Sequence, residues 1–355
     1  MPETDCMVEV TPKQYGVDTG GPVAQQRQVM TGSESKCGVW HHPSEGPMGR
    51  IGITGGSGFV GSCVAGRMIA AGHDVIVLDM RPPQRMDIAH RYVDVLDLGA
   101  VVPATRDLDT LFHLAGMSDA SDALARPVSA VQVNVAGTAN VFEASRRNGV
   151  RRTVLASTAW VYAGAHGDAP IDEEAPFHLP SAGHIYTSSK ITEELIAHNY
   201  CELYGTPFTI LRYGDVYGPR MSENFVIPRF VRQALEGETN TVNGDGSQFR
   251  NYVYVDDLAD AHVAALSGAA ENEVFNLKGP EPITIRRIAE EVRDLLGAPF
   301  TVEGGPLSPG DYEGRVISGE KAWRVLEWEA ETPFPEGLRR YVDWYTQATG
   351  RAVND

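Results

Sequence analysis

The chain has 355 residues, enough to bury a large core and to hold two domains. Its 42% hydrophobic and 22% charged composition is that of an ordinary soluble protein, and no run of about 18 apolar residues occurs, so no membrane span is expected. A formal net charge of −17 and a pI near 5.0 disfavour nucleic acid and anionic membrane as partners, although local Arg residues and backbone N–H groups can still hold a small anion.

Residues 1–48 are rich in Gly, Pro, Gln, Ser and Thr without a sustained period and read as a flexible N-terminal extension. Cys37, His41 and His42 fall there, but scattered Cys and His in such a stretch read as tail, and no metal is expected. No basic segment followed by an apolar one opens the chain, and Cys6, Cys37, Cys63 and Cys201 lie far apart with no CxxC, which predicts free thiols in a reducing cytoplasm.

From Arg50 the pattern sharpens. "RIGITG" predicts a buried strand entering a glycine turn, "SCVAGRMIAAG" a helix ending at Gly72, and "HDVIVLDM" a second strand. The apolar runs "TLFHLAG", "RTVLAST" and "FTILRYG" then alternate with helical segments such as "VNVAGTANVFEASRRNG" and "KITEELIAHNYCELYG". Such alternation predicts an α/β fold, a doubly wound parallel sheet of Rossmann type covered by helices on both faces. After Gly214 it becomes irregular, and "PRFVRQALEG", "TIRRIAEEVRDLLG" and "FPEGLRRYVDWYTQATG" read as helices of a smaller second region. The expected division is therefore 49–215 for dinucleotide binding, with 250–270 returning to it, and 216–350 for substrate.

"TGGSGFVG" places Gly55, Gly58 and Gly61 three apart, after a strand and opening a helix. A tight turn, close backbone approach and a helix N-terminus suit a pyrophosphate. Asp79 lies 24 residues after Gly55 at the end of the second strand, where a carboxylate accepts hydrogen bonds from ribose hydroxyls and repels a 2′-phosphate. NAD is thus favoured over NADP, with Arg81 and Arg85 close by as the contrary signal. In "YTSSK", Tyr186 and Lys190 are four apart and share one helix face. An ammonium beside a phenol is expected to lower its pKa from about 10 toward neutrality and make it a general base.

In this order and spacing the motifs "TGGSGFVG", Asp79, Asp94-Val95, "HLAG", "NVAGT", "STAWVY", "YTSSK", "LRYGDVYGPR" and "NGDGSQFRNYVYVDDLADA" resemble the extended short-chain dehydrogenases/reductases that act as nucleotide-sugar epimerases and dehydratases. The resemblance covers residues 50 to about 345. It implies that Gly55, Gly58, Phe59, Val60 and Gly61 hold the NAD pyrophosphate, Asp79 the adenosine ribose, and Asp94 and Val95 the adenine. Leu114, Ala115, Gly116 and Asn134 would line the cofactor further on, where Tyr186 and Lys190 also meet it. It makes Thr158, Tyr186 and Lys190 the catalytic set, and assigns Ser118, Thr158, Asp215, Arg220, Asn243, Arg250 and Arg315 to a nucleotide-diphosphate sugar. It also implies a homodimer built through helices that include the one bearing Tyr186.

All members of the group are thought to begin by oxidising the sugar at C4. Those that then eliminate water usually carry an Asp-Glu pair after the catalytic Thr, and related decarboxylases tend to carry a Glu there. Here the positions are Ala159 and Trp160, neither able to move the proton required. A 4-epimerase fits most simply, with a 4-ketoreductase using NADH or NADPH from solution, or another 4-keto-forming nucleotide-sugar enzyme such as a dehydratase, as its rival and a non-catalytic NAD-binding protein as an alternative of another class. Two departures concern the substrate. Asp215 stands where the family usually has Asn and would need a partner such as Arg220, and Ser308 precedes "PGD" (309–311) where relatives place an Arg, a role for which Arg315 is a substitute. Trp160 either shapes the sugar pocket or packs behind the strand.

Overall fold

The computed structural model describes residues 49–165, 169–297, 299–303 and 314–351. The residues of the Cys37/His41/His42 reading and Ser308 to Asp311 lie outside them. The described residues belong to one compact unit, Cys37–Asp355.

Six β-strands build most of the main sheet: β1 (Ile51–Thr54), β2 (Val75–Asp79), β3 (Ala89–Tyr92), β4 (Thr110–His113), β5 (Arg152–Thr158) and β6 (Phe208–Tyr213). The short strands β7 (Val216–Tyr217), β8 (Asn240–Asn243), β9 (Phe249–Arg250) and β10 (Val253–Tyr254) precede β11 (Glu273–Leu277), which completes that sheet. Two more, β12 (Ile283–Thr284) and β13 (Phe300–Glu303), pair with β9 and β8. The seven-stranded order is β11-β6-β5-β4-β1-β2-β3, with every pairing parallel. The order reverses between β1 and β4, and doubly wound sheets bind ligands outside the carboxyl ends of the strands at such a point.

The central strands are near-continuous apolar runs because helices cover both faces; β1, β4 and β6 are buried along their whole length. Helices α1 (Phe59–Ala70), α2 (Leu98–Ala104), α3 (Ala120–Ala125), α4 (Pro127–Val131), α5 (Gly137–Asn148) and α6 (Ile185–Tyr204) belong to this half, and α6 stops where Gly205 takes the left-handed conformation at φ 64°. In the other half α7 (Val226–Leu235), α9 (Ile285–Leu296) and α11 (Phe334–Thr349) share a separate apolar core that includes Phe230, Ile288 and Tyr341. The intervening α8 (Val255–Ala264) packs on α1, and α10 (Glu320–Leu326) packs on β11. Residues 255–277 thus return to the sheet.

Two elements differ from the sequence reading. Strand β3, "AHRY", was not apparent because it is a short edge strand whose Tyr92 is exposed, so no apolar run marks it. The segment expected as one helix from Val133 opens with a π-helical turn, Gln132–Ala136, before α5. Such turns mark places where a helix is bent to position a side chain, here Asn134.

Candidate active site

A cleft of about 510 Å³ opens at the carboxyl ends of the strands, with apolar lining residues from Leu78 and Val93 at one end to Phe225 and Tyr252 at the other. Gly55, Gly58, Phe59, Val60, Gly61, Asp79, Asp94, Val95, Leu114, Ala115, Gly116, Ser118, Thr158, Tyr186, Lys190 and Asp215 all line it.

Its glycine end is built by close approach. Gly55 has φ 69°, and a Cβ there would lie 2.6 Å from the Ala115 nitrogen; at Gly61 it would lie 2.2 Å from the Gly55 oxygen. The turn therefore presses against β4, and α1 starts within reach of the strand end. No side chain caps α1 and its first turn carries no acid, so the N–H groups and the positive end of the helix dipole are available to an anion. Asp79 is held by the Ser57 amide at 3.1 Å and the Arg81 amide at 2.9 Å, with its side chain 11% exposed. These features fit a dinucleotide with an unphosphorylated ribose. Asp79→Ala is expected to weaken NAD binding by about 10- to 100-fold, the scale for a hydrogen bond to a charged group. With the repelling carboxylate gone, NADP should lose little or gain; equal losses for both in a binding titration would contradict the role given to Asp79.

Behind this surface lies a polar layer. His113 accepts or donates to Thr54 Oγ1 at 2.8 Å and Thr138 Oγ1 at 2.9 Å, and burial lowers its pKa to about 3, so it is neutral. Asn134 is a correction to the sequence reading. It is fully buried and does not line the cleft: its Oδ1 accepts from the Met117 amide at 2.7 Å, and its Nδ2 donates to the Met117 carbonyl and to Ser189 Oγ. Its hydrogen-bonding groups are thus engaged in shaping the loop after β4.

The buried histidines also set an acid limit. His113 and His262, the latter lowered by burial to about 4, bind protons only in the unfolded chain as pH falls below 6.5, so their contribution is present above that value and lost on acidification. Each costs up to about 1.4 kcal/mol per pH unit. Glu193, pushed up to about 7 by burial, works in the opposite sense between 4.5 and 7 and offsets about one of them. A urea midpoint clearly lower at pH 5 than at pH 7 is expected; an unchanged midpoint would contradict these buried neutral rings.

At the centre, Thr158 ends β5 with its Oγ1 accepting from the Trp160 amide at 3.2 Å, and Tyr186 and Lys190 face it from the first turns of α6. His184 caps that helix, its Nδ1 accepting from the Thr187 amide, and its ring lies 5.2 Å from Trp160 and 6.0 Å from Tyr186. Lys190 Nζ donates to the Ala156 carbonyl and to Glu193 Oε2, both at 3.0 Å. The phenol pKa departs from the sequence expectation. Burial raises it above 10, while the Lys190 charge and the Thr158 hydroxyl pull it back without prevailing.

Trp160 lines the cleft rather than packing behind the strand. Its Nε1 donates to Asp215 Oδ1 at 3.4 Å, and the Arg250 guanidinium lies 5.3 Å from its ring centre. The other residues assigned to substrate, Arg220, Asn243, Arg250 and Arg315, do not line the cleft. Arg220, at φ 73°, donates to Ser62 Oγ on α1 and so is directed at that helix, not at Asp215. Asn243 is exposed at the end of β8, its carbonyl accepting from Gln248, and does not line the cleft. Arg315 donates to the Ala165 and Gly314 carbonyls, and Arg250 is buried with one donor on its neighbour Phe249. Cleft residues not singled out in the sequence include Tyr213, Met221, Phe225 and Tyr252. Tyr213 and Tyr252 lie within "LRYGDVYGPR" and "NGDGSQFRNYVYVDDLADA" without being marked by them, and Met221 and Phe225 follow the first of these in a stretch with no motif. Among the described residues no cluster of three His, Cys, Asp or Glu is placed to hold a metal, and no helix is long and apolar enough to cross a membrane.

The doubly wound sheet and the glycine cradle with Asp79 have the form of a Rossmann-type dinucleotide protein, with Thr158, Tyr186 and Lys190 gathered at the centre of its cleft. Residues 51–277 match the model of the NAD dependent epimerase/dehydratase family, and the chain belongs to that family, whose cofactor is NAD. It is 30% identical over 324 residues to UDP-glucuronic acid decarboxylase 1 of Danio rerio, covering 88% of this chain and 76% of that protein. It is 30% identical over 316 residues to UDP-glucuronate 4-epimerase of Thermodesulfobacterium geofontis, covering 84% and 96%. The solved Thermus thermophilus UDP-glucose 4-epimerase in complex with NAD is 31% identical with a TM-score of 0.77, covering 84% of this chain and 99% of that one. The similar proteins thus include nucleotide-sugar epimerases and decarboxylases.

Proposed function

We propose that the protein is an NAD-dependent nucleotide-sugar 4-epimerase. NAD bound in the cleft would accept hydride from the sugar C4 and return it. Tyr186 takes the proton of the C4 hydroxyl, Thr158 donates a hydrogen bond to that oxygen, and Lys190 stabilises the phenolate. The apolar lining keeps water from the ketone while the sugar turns over.

The observation that carries this reading is the turn after Thr158. Ala159 is buried and Trp160 fills the adjacent part of the cleft with an indole, which donates to Asp215 but cannot serve as a proton-transfer acid or base. Elimination of water across C5 and C6 needs an acid and a base besides the one serving C4. Of the carboxylates lining the cleft among the described residues, Asp79 and Asp94 are at the nucleotide end, which leaves Asp215 beside Trp160. Epimerisation needs no additional pair. Arg250 over Trp160 supports binding of the sugar diphosphate at that end, and Arg315, Asn243 and Arg220 remain proposals for the outer part of the site. Exposed Leu195 and Leu203 on α6 support the homodimer implied by the resemblance.

The test is a panel of UDP- and dTDP-sugars supplied to the purified protein with no added cofactor. An isomeric product of unchanged mass is expected. A product lighter by water or carbon dioxide, or one formed only as NADH or NADPH is consumed, would overturn the reading.

A further inference from the structure

Glu193 lies three residues after Lys190 and seven after Tyr186, so all three share the inner face of α6. It is 1% exposed, and its Oε2 accepts from Lys190 Nζ at 3.0 Å, while Oε1 has no hydrogen-bond partner. A carboxylate this deeply buried is costly to keep, and its ion partner among the described residues is the cation of the proposed catalytic set. The neighbouring Glu194 is already committed to Arg212 and Ser157, so it does not share Lys190. From the other packed elements, Thr138 on α5 and neutral His113 on β4 face the pair, and Asn134 on the π-helical turn bonds Ser189, the residue before Lys190.

This geometry does two things to Lys190. The Ala156 carbonyl and Glu193 take two of its three N–H groups, fixing the ammonium beneath Gly116, where a Cβ would come within 3.7 Å of Nζ. The third N–H is left for the cleft. The carboxylate also opposes the ammonium's pull on the phenol of Tyr186. We propose that Glu193 is a positioning residue that orients Lys190 and, through its charge, sets how readily Tyr186 ionises. The direction of the forces agrees: the Lys190 charge lowers the Tyr186 pKa, and the Glu193 charge, with the smaller effect of Asp215 from beyond β6, raises it. Burial pushes Glu193 itself up to about 7, so its charge changes near neutrality.

The proposal rests on Tyr186 being the base, and the experiment separates the two. The ultraviolet absorbance of tyrosinate is titrated in the NAD-bound protein, and the Tyr186→Phe titration is subtracted to isolate Tyr186. Glu193→Gln keeps an oxygen for Lys190 and removes the charge. The Tyr186 midpoint is expected to fall by about one unit or more, the usual scale for a nearby charge. Glu193→Asp, which restores the charge, should return it toward the original value. An unchanged or higher midpoint in Glu193→Gln would overturn the proposal while leaving Tyr186 as base. Full turnover in Tyr186→Phe would instead remove the base assignment.

If Glu193→Gln does not fold, the unsubstituted protein with ¹³Cζ-tyrosine supplies the readout. The resonance missing in Tyr186→Phe should show a separate inflection near pH 7 as Glu193 titrates. A flat response there would overturn the proposal.

Discussion

Tyr186→Phe should lower turnover by about 10²-fold or more, the usual loss on removing a general acid–base group, and leave NAD binding nearly unchanged. Only the hydroxyl is deleted. The ring is 8% exposed and packs with Ala123 and Ala130 of α3 and α4, contacts that phenylalanine retains. Because burial holds the phenol above its ordinary pKa, the apo site stores a neutral tyrosine. The positive charge that favours phenolate comes from Lys190 and, on binding, from the oxidised nicotinamide. Activity should therefore rise with pH toward the Tyr186 midpoint, and that limb should vanish in the phenylalanine variant. A variant with near-normal turnover would contradict the catalytic assignment.

Glu194→Ala should destabilise the fold by about 3–5 kcal/mol, the scale for removing one partner of a buried ion pair. Arg212 and Glu194 are 5% and 1% exposed in their side chains and meet at 2.7 Å. The guanidinium also donates to Tyr162 and the Glu173 carbonyl and lies 5.0 Å from the Phe177 ring centre, so it has no route to water. Without Glu194 it is a buried cation that has lost its ion-pair partner; Ser157 Oγ, next to Thr158, loses its acceptor as well. Replacing both charges, as Glu194→Leu with Arg212→Met, should cost less than the single change because no lone charge remains. Urea unfolding decides it: a single substitution as mild as the double one would contradict this account of the pair.

The parts of the site legible in the sequence were those that chemistry confines to short spacings. The glycine turn is readable because Gly55 and Gly61 occupy places where a Cβ would strike backbone, and Asp79 because a strand end fixes its distance from that turn. Tyr186 and Lys190 announced themselves by one helical turn. The same rule applied once more along "KITEE" would have found Glu193, whose charge on an inward face was the missed signal. Asn134 differs for another reason. Its type suits a ligand, but tertiary packing gives its donors to Met117 and Ser189, and it likewise turns an Arg220 donor to Ser62 rather than to Asp215, which no local pattern records. The phenol pKa was misjudged because a sequence shows the neighbouring Lys190 but not the burial that outweighs it. For Trp160 the sequence left two placements open, and only the position of Asp215 and Arg250 around its ring puts it in the cleft.

The most direct test of the proposed epimerase is the fate of hydrogen at C4. A nucleotide sugar from the active panel is labelled with deuterium at that carbon and converted by the purified protein without added cofactor. The account predicts an epimer that keeps the deuterium at C4, because the hydride that leaves is the hydride that returns. Deuterium lost from C4 of the product, or found in pooled NADH, would contradict it.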